Sequence, residues 1–256
     1  VNVISLEEIS GLLDLGGMHV VLSKDGSTAV AESARELLVW DVPGRAKRGT
    51  LPIRRGPGSD SLWLALSDDG ALLADARRNG RIEIWDVASA SRKVTLTTRA
   101  RLDFNLFPHG GAMAFSPDGR TLALLTGSNP SVFGRLAAGP SVLELWDVPS
   151  GTLRATSRGI ADSAFAIFTQ SGGPKILFSP DGRTVVSAAD QGIVDVATGK
   201  RLVEPPGLLL KAPKALSRTG LLAELEDLTI TIWDGATLRP RYDVRLGGET
   251  GEEMAF

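Results

Sequence analysis

A four-residue turn, Ser-x-Asp-Gly, returns along this chain as Ser23-Lys24-Asp25-Gly26, Ser67-Asp68-Asp69-Gly70, Ser116-Pro117-Asp118-Gly119 and Ser179-Pro180-Asp181-Gly182. A weaker fifth copy is Ser217-Arg218-Thr219-Gly220. Each copy is followed by a short apolar strand and then by a strand ending in Trp-Asp: Trp40-Asp41, Trp85-Asp86, Trp146-Asp147, a degenerate Val194-Asp195, and Trp233-Asp234. Successive Trp positions lie 45, 61, 48 and 39 residues apart. A repeat of this period means a stack of similar supersecondary units, each unable to bury its apolar surface alone.

Local chemistry within a unit is consistent. Asp bonds its own backbone in the turn, and Gly supplies the positive φ that a side chain would resist. Pro117 and Pro180 pre-set φ at the position after Ser. The strands that follow, Thr121–Leu125 and Thr184–Ser187, are apolar or small throughout. The third strands, Arg81–Val87 and Val142–Val148, are apolar on both faces apart from Glu83 and Glu144. Strands covered on both sides read this way. The Asp after each Trp is placed to cap the next turn, and Val94–Thr98 and Leu153–Ser157 supply an outer strand.

These motifs resemble those of the WD40-repeat β-propeller family, in the bacterial-type form Phe-Ser-Pro-Asp-Gly-Arg-Thr with Leu-Trp-Asp-Val, over about residues 17–256. The resemblance implies an all-β chain of four-stranded antiparallel blades, about five of them with the start of a sixth, within a six- or seven-bladed ring. The units fall at about 17–58, 59–107, 108–159, 174–207 and 210–247, with 248–256 as the first strand of a next blade. Trp40, Asp41, Trp85, Asp86, Trp146, Asp147, Trp233 and Asp234 are the structural repeat positions. Two departures stand out. The family's Gly-His pair is missing save for a displaced His109-Gly110, and Arg78-Asn79-Gly80 takes the place of an Asp turn. The family's buried Asp–His–Ser/Thr–Trp network is therefore expected to be absent, with stability resting on apolar packing. Glu252–Phe256 aligns with the strand before the third turn, so the expectation is a piece of a larger propeller, cut inside a sixth blade. Five blades closing by themselves is the alternative.

Insertions point to one end of the repeat. From turn Gly to Trp position the distances are 14, 15, 27, 12 and 13 residues, and the surplus falls in Gly127–Ser141. The connections Thr98–Gly110 and Gly159–Gly173 are also long. In a propeller both loop types leave from the same side, and insertions gathered there often mark a binding face. The candidate binding residues on them are Arg99, Arg101, Phe104, Phe107, Phe133, Arg135, Phe165 and Phe168; aromatic and Arg side chains dominate binding hot spots. Asp103 and Ile160 share these loops. A second reading has Phe104, Phe107, Phe165 and Phe168 folding back over blade edges.

Other chemistry finds little support. There is no Cys, hence no disulfide, thiolate ligand or cysteine nucleophile, and the redox compartment is left open with cytoplasm expected over secretion. His19 and His109 are the only imidazoles and sit in different units, which does not make a zinc site. No nucleophile elbow, P-loop or dinucleotide fingerprint occurs. A net charge of −2 and isolated pairs such as Arg54-Arg55 and Arg77-Arg78 speak against nucleic acid. No apolar run is long enough for a membrane span. No cofactor and no metal are expected. The expected role is a non-enzymatic scaffold for a protein or peptide partner, or for other domains of the same full-length chain. The alternatives are a propeller that docks or gates an attached hydrolase, peptidase or kinase domain, and a degenerate propeller serving only structural packing.

Overall fold

The computed structural model describes residues 20–32, 36–52, 61–77, 79–98, 111–128, 139–162, 176–187, 192–202, 214–216, 221–226, 229–234 and 239–245. Every regular element among them is a β-strand. They form five antiparallel meanders in chain order. The first holds β1 (Val20–Leu22), β2 (Thr28–Glu32), β3 (Glu36–Asp41) and β4 (Ala46–Pro52). The second holds β5 (Ser61–Leu66), β6 (Leu72–Arg77), β7 (Arg81–Asp86) and β8 (Ser91–Thr97). The third holds β9 (Gly111–Phe115), β10 (Thr121–Ser128), β11 (Gly139–Asp147) and β12 (Thr152–Asp162). The fourth has three strands, β13 (Ile176–Phe178), β14 (Thr184–Ser187) and β15 (Gly192–Asp195). The fifth holds β16 (Lys214–Leu216), β17 (Leu221–Glu226), β18 (Thr229–Asp234) and β19 (Pro240–Arg245). An all-β chain of repeated antiparallel blades is therefore what the sequence folds into.

The first hairpin of each of the first four sheets is closed by one hydrogen-bonded clasp. The backbone N–H of Gly26, Gly70, Gly119 and Gly182 donates to the carbonyl of the Ser three residues earlier, at 2.8–2.9 Å. The Ser hydroxyl donates to the Asp carboxylate, as from Ser116 to Asp118 at 2.6 Å, and accepts the N–H of Thr121 at 2.9 Å. The same carboxylate oxygen accepts the N–H of Arg120 at 3.0 Å. Ser23, Ser67 and Ser179 repeat this set with Asp25, Asp69 and Asp181. All four Ser side chains are buried. The clasp explains the invariant Ser, which the turn chemistry of Asp and Gly alone left unexplained. Gly70 meets a second demand: at φ +69° a Cβ would also lie 2.6 Å from the side chain of Thr28.

Two compact units divide the chain, Val1–Phe104 with Val148–Gly151, and Asn105–Asp147 with Thr152–Phe256. Each is organised by one rule. Call the leading face of a sheet the one bearing the Trp position, and the trailing face its opposite. In the first unit the trailing residues Val30, Leu37, Val39 and Leu51 cluster with the leading residues Leu64, Leu73, Trp85 and Val87 of the second sheet. In the second unit Ala123, Leu125, Leu143 and Leu145 trail, and cluster with Ile176, Phe178, Val185, Val194 and Val196, which lead. Val194 occupies the Trp position there. Burial of each Val, Leu, Ile or Phe side chain among these stabilises by about 1.5–3 kcal/mol.

Three features differ from the sequence reading. The segment Gly127–Ser141 is not all loop: β10 runs on to Ser128, β11 begins at Gly139, and the two pair there. The connection Gly159–Gly173 likewise begins as strand, because β12 extends to Asp162 and pairs it with Pro140. Among the described residues the fourth sheet has no outer strand. In its place, 200–202 make a single bridge, Val194 to Arg201, with Leu202 N–H bonded to the Ile193 carbonyl at 2.8 Å.

The clasps carry a pH signature. Bonding from Ser67, Ser116 and Ser179 is the largest cause holding Asp69, Asp118 and Asp181 below the ordinary carboxylate value. A depressed carboxylate stabilises the fold above its unfolded pKa, and that contribution is lost as pH falls toward the folded value. Replacing Ser116 by Ala is expected to cost about 1–3 kcal/mol at neutral pH, since it strands the buried Thr121 N–H. In urea titrations the gap between wild type and Ser116→Ala is expected to hold from about pH 7 to about pH 5 and to narrow below about pH 4.

Candidate interaction site

The repeat positions occupy corresponding places at the ends of the third strands. Trp85, Trp146 and Trp233 are buried, while Trp40 is half-buried. Among the described residues the indole N–H groups of Trp40, Trp85 and Trp233 have no hydrogen-bond partner. Trp146 donates to Glu144 at 3.0 Å. His19 and His109 lie outside the described residues.

The Asp after each Trp works in two ways. Asp86 accepts both the N–H and the hydroxyl of Ser89 at 2.9 Å, and these bonds, with Lys93 behind them, pull it down to about 2. Asp195 accepts the same pair of bonds from Thr198, whose hydroxyl is the first cause of its lowered pKa. Asp41, Asp86, Asp147 and Asp234 also form ion pairs with a base seven residues on: Arg48, Lys93, Arg154 and Arg241. The fourth sheet has Leu202 at that spacing. These basic residues were readable from the sequence as a fixed offset from Trp-Asp. Such exposed pairs are each worth about 0–1 kcal/mol.

The second sheet contains a buried charge cluster of which sequence reasoning had named Glu83 and, as one of a basic pair, Arg77, but not Asp75. Asp75 on β6 stands directly opposite Glu83 on β7. Two carboxylates facing each other across a ladder repel. Arg77, two residues beyond Asp75 on the same face, resolves this by reaching Asp75 at 3.0 Å and Glu83 at 2.8 Å. Arg92, half-exposed, reaches Glu83 from outside at 3.0 Å. Asp75, Arg77 and Glu83 are all buried on the leading face that packs against the first sheet. The cluster ties β6 to β7 through Arg77. Among the described residues no group of three or more His, Asp or Glu could hold a metal ion, and no helix is long and apolar enough to cross a membrane.

Three connections attach at one end of the third sheet. Gly111 opens β9 opposite Thr126, Ser128 closes β10 opposite Gly139, and Asp162 closes β12 opposite Pro140. The connections 99–110, 129–138 and 163–175 therefore all attach at this one end. Strands β10, β11 and β12 have 8, 9 and 11 residues, against 5 to 7 for their counterparts in the first two sheets. The candidate residues Arg99, Arg101, Phe104, Phe107, Phe133, Arg135, Phe165 and Phe168 lie outside the described residues; only their points of attachment are placed.

The five meanders with this face-to-face rule define a β-propeller of four-stranded blades. A chain in the crystal structure of a mitotic checkpoint complex has the same fold, with a TM-score of 0.56 at 17% sequence identity, over 90% of this chain and 64% of that one. The present chain thus spans less than two thirds of the length of that solved chain. No family model matches the chain, and no curated protein matches it either. The repeated four-stranded sheets fit a WD40-like propeller.

Replacing Arg77 by Met is expected to destabilise the chain by about 3–5 kcal/mol at neutral pH, because it leaves two buried carboxylates opposed. The deficit is read by thermal or urea unfolding, and a loss below about 1 kcal/mol would contradict this role for Arg77.

Proposed function

We propose that this chain is a non-enzymatic, protein-binding propeller module whose binding face is the extended end of the third sheet. The observation that carries this is the attachment of three long connections at that one end. A sheet with buried apolar side chains on both faces, such as Leu122 and Leu143, is a suitable base for recognition loops. Phe133 and Arg135, on the connection between β10 and β11, are the residues assigned first, because an aromatic and a guanidinium at the centre of a loop cluster supply most of the energy in many interfaces. Arg99, Arg101, Phe104, Phe107, Phe165 and Phe168 flank them on the two neighbouring connections. The solved propeller with the same fold belongs to a multi-protein complex. The units at about 17–58, 59–107, 108–159, 174–207 and 210–247 form one interaction domain in this reading. Partners are proteins or peptides, with other domains of the same full-length chain included; nucleic acid, membrane and cofactor play no part.

The test uses a partner identified by cross-linking in extract and then purified. Phe133→Ala with Arg135→Ala is expected to leave the melting temperature unchanged and to weaken binding of that partner by roughly tenfold or more. Equal affinity for the variant and the wild type would place the binding face elsewhere.

A further inference from the structure

The turn between β6 and β7 ends in Asn79-Gly80 and is built like a clasp with two members changed. The Gly80 N–H donates to the Arg77 carbonyl at 2.9 Å, as each clasp Gly donates to its Ser. The Arg81 N–H donates to the Asn79 side-chain carbonyl at 3.1 Å, as the Arg120 N–H does to Asp118. Gly80 has φ +80°, positive like the clasp glycines. Asn thus stands in place of Asp, and Arg77 stands where the clasps bury a Ser hydroxyl.

Both changes alter what the turn can do chemically. Asn is a thermolabile residue, most of all before Gly, whose nitrogen no side chain screens. Four Asn occur in the chain, and of these only Asn79 precedes Gly. Asn79 is exposed, so water reaches it. In the clasps the Gly nitrogen follows a carboxylate, which resists attack by nitrogen until it takes up a proton. Bonding from the clasp Ser is the largest cause keeping Asp69, Asp118 and Asp181 ionised, with their pKa below the ordinary value. The Asn79 amide needs no such proton. The bond it accepts from Arg81 draws charge off Cγ and makes that carbon easier to attack.

We propose that Asn79 is a site of spontaneous covalent modification in the folded chain, gated by opening of its own turn. The Gly80 nitrogen bonds to Asn79 Cγ and closes a succinimide ring. The Cγ–Nδ2 bond breaks, and the amide nitrogen leaves as ammonia with the proton from Gly80. Water then adds to one of the two ring carbonyls and breaks that carbon's bond to the Gly80 nitrogen. The product is aspartate or isoaspartate, and the two act differently on the sheet. Aspartate keeps the main chain and accepts the Arg81 N–H as Asp118 accepts that of Arg120. Isoaspartate adds a carbon to the main chain, so it disturbs both the Gly80 bond to Arg77 and the bond from the Thr98 N–H to the Gly80 carbonyl at 3.0 Å. Thr98 is buried and is the residue from which the 99–110 connection departs. Ageing of this one turn therefore loosens the root of a long connection, whatever that connection binds.

The test incubates the full chain in mildly alkaline buffer, folded and, in parallel, unfolded in urea. Exchange of ammonia for water is read by intact mass. Isoaspartate is mapped by peptide digestion after labelling with an isoaspartyl methyltransferase. In the folded chain the label is expected at position 79 and not at Asp25, Asp69, Asp118 or Asp181. Unfolding in urea is expected to speed conversion at position 79 roughly tenfold, because the turn no longer has to open. Asn79→Ser is expected to abolish the label with the melting temperature unchanged. Asn79→Asp is expected to melt like wild type, while the isoaspartate-bearing fraction of aged chain melts lower. A folded chain without isoaspartate at position 79 once the urea sample has converted overturns the proposal. So do equal rates in the two samples, and label that appears at the clasp Asp residues as fast as at Asn79.

Discussion

A sheet that is apolar on both faces cannot stand in water by itself, and this constraint shapes the rest of the molecule. Leu73 and Trp85 look one way from the second sheet while Ile82 and Ile84 look the other, and all are buried. The solution is to stack one sheet's trailing face on the next one's leading face, as in the clusters centred on Leu37 with Leu73 and on Leu143 with Val185. Polar groups are then driven to the strand ends, where the clasps and the ion pairs lie.

The indole N–H groups of Trp85 and Trp233 enter the stack without a hydrogen-bond partner, but the clasp serines and Arg77 enter it matched. Each clasp serine uses its hydroxyl twice, as donor to Asp and as acceptor from the strand that follows, so burying it leaves nothing unmatched. Arg77 has the same logic at higher stakes. It sits between two acids that the register of β6 and β7 forces together, and charges removed from water are tolerated only when matched. Apolar packing, expected in place of the Asp–His–Ser/Thr–Trp network, is thus joined by these buried polar sets.

Much of the fold was legible because its signals are local and repeated. Ser-x-Asp-Gly specifies a turn through the geometry of four residues, and Trp-Asp marks the end of a strand whose alternation cannot settle which face is covered. The lengths of β10, β11 and β12 were not legible, because Gly127, Pro140 and the small residues around them read as loop while ladder pairing to neighbours holds them as strand. Asp75, and the buried role of Arg77 beside it, were missed for a related reason. Singly they look like surface residues, and only the pairing of Asp75 with Glu83 shows why an arginine must follow. The third sheet's long connections were located by counting, and the structure fixes their attachment points. Which side chains on them meet a partner depends on tertiary contacts that spacing does not encode.

The stacking of a trailing face on a leading face is the claim on which the rest stands, and a double-mutant cycle measures it directly. Leu51→Ala on β4 and Leu73→Ala on β6 belong to one buried cluster but to different sheets. Each is expected to cost about 2–5 kcal/mol in unfolding free energy. Because they share that cluster, the double variant is expected to depart from the sum of the two by about 0.5–3 kcal/mol. Strict additivity would mean that the two sheets do not share a core, and the account of how this chain is held together would fail.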